Sequence, residues 1–297
     1  MDVSLTGLRV FREVAERGTL TAAAAALGYT QSAVSRQIAT LERATGATLL
    51  DRHPDGVRLT TAGYVLLRRA ITILSEVDAT ERELVGLPAD GGTVRIGWFA
   101  SAGAVLLPRA LAALRRTHPS ITVTTREGST PALVSALRAG RLDLAVLGSA
   151  PPYRPFDTES PRLLVKTLTE RGLHVAVPTT HPLAAKEDLT VADLRGQSWI
   201  ASPTAGEMGV WPGLDERPRI AHSARDWLAK LNLVAAGAGI TTAPASLAAV
   251  APAGVRIIPV GAQEQRRVVL AQLPGPLPQP TTHVANALRV AATELLS

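Results

Sequence analysis

The sequence predicts a mainly α head that carries a β-hairpin, then one long helix, then a C-terminal α/β domain. Three changes of texture predict this. Residues 1–60 hold short helical patterns followed by a turn-rich hairpin. Residues 61–87 form one uninterrupted helical pattern. Beyond the breaker Leu87-Pro88-Ala89-Asp90-Gly91-Gly92, short β-branched runs alternate with Ala/Leu-rich helical runs. Breakers of this kind are where domain boundaries usually fall, so residues 88–92 are expected to be a hinge.

Composition narrows the class. A chain of 297 residues suits two domains, and 46% apolar with 19% charged residues describes a folded protein rather than a disordered one. No apolar run reaches the ~18 residues of a membrane span. Asp2, Arg9, Arg12, Glu13, Glu16 and Arg17 deny the first 20 residues the apolar core of a signal peptide, so the cytoplasm is the expected location. The absence of cysteine excludes disulfides, thiol catalysis, iron–sulfur clusters and cysteine-ligated zinc. A net charge of +6 and a pI near 10.4 invite a nucleic-acid partner. Yet residues 1–90 hold ten arginines and eleven acidic residues, and the surplus lies in residues 91–297. That surplus serves either an anionic ligand or solubility.

The head is justified element by element. Leu5, Leu8, Val14 and Ala15 share one helical face with Phe11 beside them, and Gly18 supplies a stop. Thr21 is expected to cap a second helix, Ala22–Leu27, whose small residues allow close helix approach. Gly28-Tyr29 makes a turn. Thr30 caps a third helix running to about Ala44 and closed by Gly46. Val34, Ile38 and Leu41 face inward on it, while Gln31, Ser32, Ser35 and Arg36 share the opposite face. A polar stripe on any one helix is ordinarily a solvated face. Here it comes with two short helices, a tight turn and a hairpin, Thr48–Asp51 and Val57–Thr60 around His53-Pro54-Asp55-Gly56. That unit is what a winged helix-turn-helix requires. Its second helix presents N-terminal side chains to base edges in the major groove: Gln suits adenine, Arg suits guanine, and Ser suits bases or phosphates. Arg52 and Arg58 are placed to touch the flanking backbone.

In the following helix Leu67, Ala70, Leu74, Val77 and Leu84 recur at 3–4 spacing, and Leu66, Ile73 and Leu87 add a second stripe. Thr60 or Thr61 can cap it. An amphipathic helix of ~25 residues needs a partner for that stripe, either a second chain or its own domain.

After Thr93, strands are expected at Val94–Trp98, Ile121–Arg126, Leu144–Leu147, His174–Val177, Trp199–Ser202 and Thr241–Ala243. Helices are expected at Ala104–Thr117, Pro131–Ala139 and Asp226–Ala236. The alternation predicts α/β architecture with mainly parallel sheets. In such sheets ligands sit beyond the carboxyl ends of the strands. Ser101, Ser129, Thr130, Gly148, Ser149, Ser202 and Thr204 follow strand ends. Each hydroxyl alone could be only a helix cap; as a group, with helix N-termini, they suit a carboxylate or other anion, with Arg225 as a further candidate. Trp98 is either a cleft wall or core; Trp199, Trp211 and Trp227 read as packing residues. No P-loop, H-E-x-x-H, G-x-S-x-G or strand-linked G-x-G-x-x-G occurs, and no histidine spacing suggests a metal, so neither an enzyme nor a metal or other cofactor is expected.

These residues resemble the LysR-type transcriptional regulators. The matching pattern runs Leu8-x-x-Phe11-x-x-Val14-Ala15-Glu16-x-Gly18-Thr19-Leu20-Thr21-x-Ala23-Ala24. It continues through Leu27, Thr30 to Ile38, Leu41-Glu42, Gly46, Leu49, Arg52 and Leu59-Thr60-x-Ala62-Gly63. Looser matches follow at Pro108, Pro119, Gly140-x-x-Asp143-Leu144-Ala145, His181-Pro182-Leu183 and Val234-x-x-Gly237-x-Gly239-Ile240. Leu50 stands where Phe is common, and Asp55 where a basic wing residue is common, which weakens the wing–phosphate contact.

The resemblance implies a winged helix-turn-helix DNA-binding domain at 1–60 and a linker helix at 61–87. It implies an effector domain at 93–297 with two Rossmann-like subdomains, like periplasmic binding proteins. The first is placed at about 93–163 plus 270–297 and the second at about 164–269. It implies DNA contacts from Gln31, Ser32, Ser35, Arg36, Arg52 and Arg58, and dimerisation through Leu67, Leu74, Val77 and Leu84. The expected partners are double-stranded operator DNA, a small-molecule effector in the cleft and RNA polymerase, with the chain a homodimer or homotetramer and no membrane. A ligand-independent DNA-binding protein whose C-terminal domain serves only assembly is the alternative. A transport solute-binding protein fits neither the N-terminus nor the helix-turn-helix.

Overall fold

The computed structural model describes residues 2–84, 91–150, 156, 162–203, 209–214, 217–261 and 264–295. The head contains α1 (Leu5–Arg17), α2 (Leu20–Leu27), α3 (Gln31–Thr45), the hairpin β1 (Leu50–His53) and β2 (Gly56–Leu59), and the start of the long α4 (Thr61–Leu84). Ser4, Thr19 and Thr30 cap the first three helices by accepting from the N–H of Gly7, Ala22 and Ala33. The second helix therefore begins two residues earlier than the Thr21 cap predicts. Thr19 holds the extended backbone that aims its hydroxyl oxygen at Ala22. The hairpin sits closer to its turn than expected: pairing runs from Leu50↔Leu59 to His53↔Gly56, leaving only Pro54 and Asp55 as loop. Thr60 caps α4 and also donates to the Thr48 carbonyl at 2.7 Å. Leu5 is exposed rather than inward, while Leu8, Phe11 and Val14 are buried.

The head core gathers Phe11, Val14, Val34, Ile38 and Leu49 with Leu67, Ala70 and Leu74 of α4. This corrects the dimerisation assignment for two residues. Leu67 and Leu74 are fully buried within their own chain, in the head core and, for Leu67, also against Gly140, so their stripe is not free for a partner. Val77 is half-buried, Leu84 is exposed, and Leu87 lies outside the described residues.

The body follows as β3 (Gly92–Trp98), α5 (Ala100–Ala104), α6 (Leu106–Thr117), β4 (Ile121–Glu127), α7 (Thr130–Arg138), β5 (Leu144–Ser149) and β6 (Leu164–Pro178). It continues with β7 (Ser198–Ala201), β8 (Arg219–Ser223), α8 (Trp227–Ala235), β9 (Thr241–Pro244), β10 (Val255–Pro259), β11 (Gln265–Gln272) and α9 (Gln279–Glu294). The helix expected over Ala104–Thr117 starts at Leu106, because Val105, whose backbone leaves the helical region, separates it from the short α5 before it.

Two lobes are strung on long strands. The main sheet has the order β10-β6-β11-β5-β3-β4, with β9 also on β6; β7 and β8 form a separate pair. Only β3–β4, β3–β5 and β7–β8 are parallel; the β6, β10, β11 and β9 ladders are antiparallel. The expectation of mainly parallel sheets is thus corrected. The cause is the 15-residue β6, which pairs with β11 in the first lobe and then with β9 and β10 in the second. Residue 164 accordingly starts a strand shared by both lobes rather than the second lobe. The first lobe's core joins Val94, Ile96, Leu107, Leu144 and Leu270 to Val284 and Leu288 of α9. The second joins Val175, Leu194, Trp199, Trp211 and Ile240.

The head docks on the first lobe. Arg95 of β3 bonds Asp143 through its backbone N–H (2.7 Å) and its guanidinium (2.8 Å), and also reaches Glu16 of α1. Burial pulls the Arg95 guanidinium down, but Asp143 and Glu16 more than offset it and hold its pKa above the ordinary value. Arg141 donates to the Glu16 carbonyl at 3.2 Å, and the Arg138 guanidinium lies 5.3 Å from the Tyr64 ring centroid.

Candidate nucleic-acid interface and effector cleft

The outward face of α3 is built from its first turn. Thr30 stops the chain in an extended conformation and turns it into a helix, so residues 31–36 form the first turns of α3. Val34, Ile38 and Leu41 fix the opposite face in the core. Gln31, Ser32 and Arg36 are exposed and Ser35 is half-buried. Ser32 shares a hydrogen bond with the Thr30 hydroxyl at 3.1 Å, while the side chains of Gln31 and Arg36 carry no hydrogen bond among the described residues. Arg52 of β1 reaches back to Ser35 Oγ at 3.5 Å, so wing and helix present one surface. Arg58 of β2 instead pairs with Asp55 at 3.4 Å, both well exposed. The acidic residue in the wing thus takes up charge that would otherwise face a phosphate.

The wing is also fixed to α1. Val57 N–H donates to the Gly18 carbonyl at 2.8 Å, and Gly56 adopts φ +138° against that same carbonyl, where a Cβ would stand 2.4 Å away. Only glycine fits there.

In the body, parallel pairing brings the carboxyl ends of β3, β4 and β5 side by side. Ser101 lies in α5 at the end of β3. Ser129 is the N-cap residue of α7, yet its side chain makes no cap bond, which leaves its hydroxyl free of that duty. Thr130 is directed to the Gly148 carbonyl at 3.5 Å, and Gly148 itself lies against the Phe99 ring. Ser149 ends β5, half-buried. Ser202, directly after β7 in the second lobe, is buried; Thr204 lies outside the described residues. The lobes meet beside these ends, where Ala104 and Val105 pack with Ile200, Leu231, Val234 and Trp227. Trp98 packs in the first-lobe core over Gly103, its indole N–H buried without a partner. Trp199 and Trp211 are core, and Arg225 is exposed.

Two features escaped the sequence reading. Glu16 and Asp143 were visible only as pattern residues; the fold gives both the same partner, Arg95. Lys230 lies almost wholly buried on α8. Its signal was present: a charge at an apolar position of the pattern Trp227, Lys230, Leu231, Val234.

A DNA-reading head on a long helix, joined to a two-lobed α/β domain with polar strand ends at the junction, defines a regulator that couples DNA binding to ligand sensing. The comparisons agree. Residues 5–64 match the bacterial regulatory helix-turn-helix protein, lysR family, and residues 89–292 match the LysR substrate binding domain. The chain belongs to the LysR family of transcriptional regulators. It is 32% identical to the transcriptional dual regulator GltC of Bacillus subtilis over 90% of this chain and 89% of that protein. It is 31% identical to the transcriptional regulator BenM of Acinetobacter baylyi over 82% of this chain and 81% of that one. Among solved structures it resembles full-length CbnR in complex with its target DNA, with TM-score 0.56 and 26% identity over 97% of this chain and 99% of that one. Members of the family are regulators, not enzymes. No described helix is long and apolar enough to cross a membrane.

Proposed function

We propose that the protein works in the cytoplasm as a homodimer or homotetramer on partly palindromic operator DNA, under the control of a small-molecule effector. Gln31, Ser32, Ser35 and Arg36 read base edges, and Arg52 holds the flanking backbone; Arg58 contributes less while paired with Asp55. The observation that carries this is the exposed, unpaired Gln31 and Arg36 on a first turn rigidly buttressed from behind. Specific readers must be held in place yet leave their hydrogen-bonding groups unspent. CbnR, a structural relative, binds its target DNA as a solved complex.

Ser101, Ser129, Thr130, Gly148, Ser149, Ser202 and Thr204 are the proposed effector contacts, and no other cofactor is required. An effector acts only through unequal affinity for two arrangements of the assembly. Contact with RNA polymerase follows from the regulatory role. Dimerisation falls to the outward side of α4, where Val65, Ile73 and Leu84 are exposed.

Sequencing of genomic fragments retained by the purified protein tests the reading. The expected result is an inverted repeat whose half-sites lie one DNA turn or more apart, about 34 Å per turn. Recovery of fragments with no shared sequence would overturn it.

A further inference from the structure

Lys230 does not suit its surroundings. The inward positions of α8 are Trp227, Lys230, Leu231 and Val234, and Lys230 is 2% exposed. Its ammonium lies 5.0 Å from the Trp227 ring centroid. Among the described residues it has neither a hydrogen-bond acceptor nor a carboxylate in contact. Burial lowers its pKa from the ordinary 10.5, and Asp226, acting from a distance, only partly opposes that. A buried cation whose nearest carboxylate only partly offsets its burial is costly and persists where it serves something else.

Its position suggests what. A helical side chain leans toward the N-terminus of its helix, and Trp227, under the ammonium, is one turn earlier. That N-terminus follows the carboxyl end of β8. There the Ala224 N–H donates to the Ala201 carbonyl at 3.0 Å, at the end of β7, immediately before buried Ser202. Trp227 and Leu231 pack in the cluster that includes Ala104 and Val105 of the first lobe. The ammonium therefore stands near the junction of the lobes, at the strand ends.

We propose that Lys230 recognises the head group of a small organic monocarboxylate, whose apolar body lies against Trp227 and the inter-lobe cluster. One lysine neutralises one negative charge. A doubly charged phosphate would stay under-compensated. The side chains packed around it, among them Trp227, Leu231 and Val105, are apolar, which suits a hydrocarbon body. The proposal rests on the reading of the cleft as the effector site.

The chain has only three lysines, Lys166, Lys186 and Lys230, so protein labelled with ¹³C at lysine Cε gives three resolvable environments. The probes are hexanoate and phenylacetate, their neutral amides, and inorganic phosphate. A carboxylate is expected to shift the Lys230 signal, raise its titration midpoint and raise Tm. Lys230→Met is expected to lose that rise, to bind about tenfold or more weakly, and to melt higher than wild type without ligand. An unmoved Lys230 signal with both carboxylates overturns the proposal, as do amides or phosphate acting as strongly, or Lys230→Met binding unchanged. Amides stabilising wild type and Lys230→Met alike would overturn the Lys230 assignment and leave an effector cleft for neutral ligands. No stabilisation by these probes or by a broad metabolite screen would remove both. The signal of the wild type decides even if the variant does not fold.

Discussion

Single side chains here do opposite kinds of work, and substitution separates them. Arg36 is exposed, so Arg36→Ala should cut operator affinity tenfold or more while leaving Tm unchanged; gel shifts beside calorimetry check it. Gly63 is the reverse case. It sits in the first turn of α4, where a Cβ would lie 2.2 Å from the Leu49 carbonyl oxygen. A helical glycine costs about 1 kcal/mol against alanine, and here it allows the helix to touch the chain entering the hairpin. Gly63→Ala should therefore destabilise the head by about 1–3 kcal/mol in urea titrations, despite its better helix propensity. Lys230 adds a pH dependence. Its folded pKa lies below the unfolded 10.5, so the native state binds its proton more weakly than the unfolded state does. Ligand-free stability should rise with pH between the lowered value and 10.5, and Lys230→Met should lack that rise in melting curves taken across this window.

At the scale of elements, α4 shows how far a periodic pattern reaches. The stripe Leu67, Ala70, Leu74 was legible, but periodicity says only that a face is buried, not against what. The fold turns it into the head core of the same chain and leaves Val65, Ile73 and Leu84 outside. Two substitutions on one helix should then differ in kind. Leu74→Ala opens a cavity in the head and should cost about 2–5 kcal/mol, lowering the head's unfolding midpoint. Ile73→Glu should leave that midpoint in place and shift the mass in light scattering toward the monomer. An unchanged oligomer with Ile73→Glu would move the interface off this face. The helix caps Thr30, Gly18 and Gly46 were legible because capping is local chemistry. Strands β8, β10 and β11 were missed, because exposed β8 and the crossing β11 owe their pairing to distant partners rather than to their own alternation.

For the whole molecule, the relation of head to body was illegible in the sequence, because it joins residues far apart in the chain. Glu16, Arg95 and Asp143 are each ordinary surface types, and only the fold makes Arg95 their common counter-charge. The arrangement has two unequal halves. Asp143 is on the same lobe as Arg95 and takes both its backbone N–H and its guanidinium, so that pair persists whatever the head does. The Glu16 contact crosses from head to body, and with Arg141 on the Glu16 carbonyl it ties α1 to the lobe that carries Ser101 and Ser149. Glu16→Gln keeps the shape and removes the charge, leaving Asp143 as Arg95's full counter-ion. It should therefore loosen the docking without unfolding either part. The expected outcome is a larger radius of gyration by small-angle X-ray scattering and faster amide exchange along the α1 surface that faces the body, with each part's own melting transition kept. Because the contact is only partly buried, raising the salt should move wild type in the same direction, by less than the substitution does. Equal scattering curves for Glu16→Gln and wild type would mean that apolar packing of Leu67 against Gly140, rather than this charge, holds the head in place.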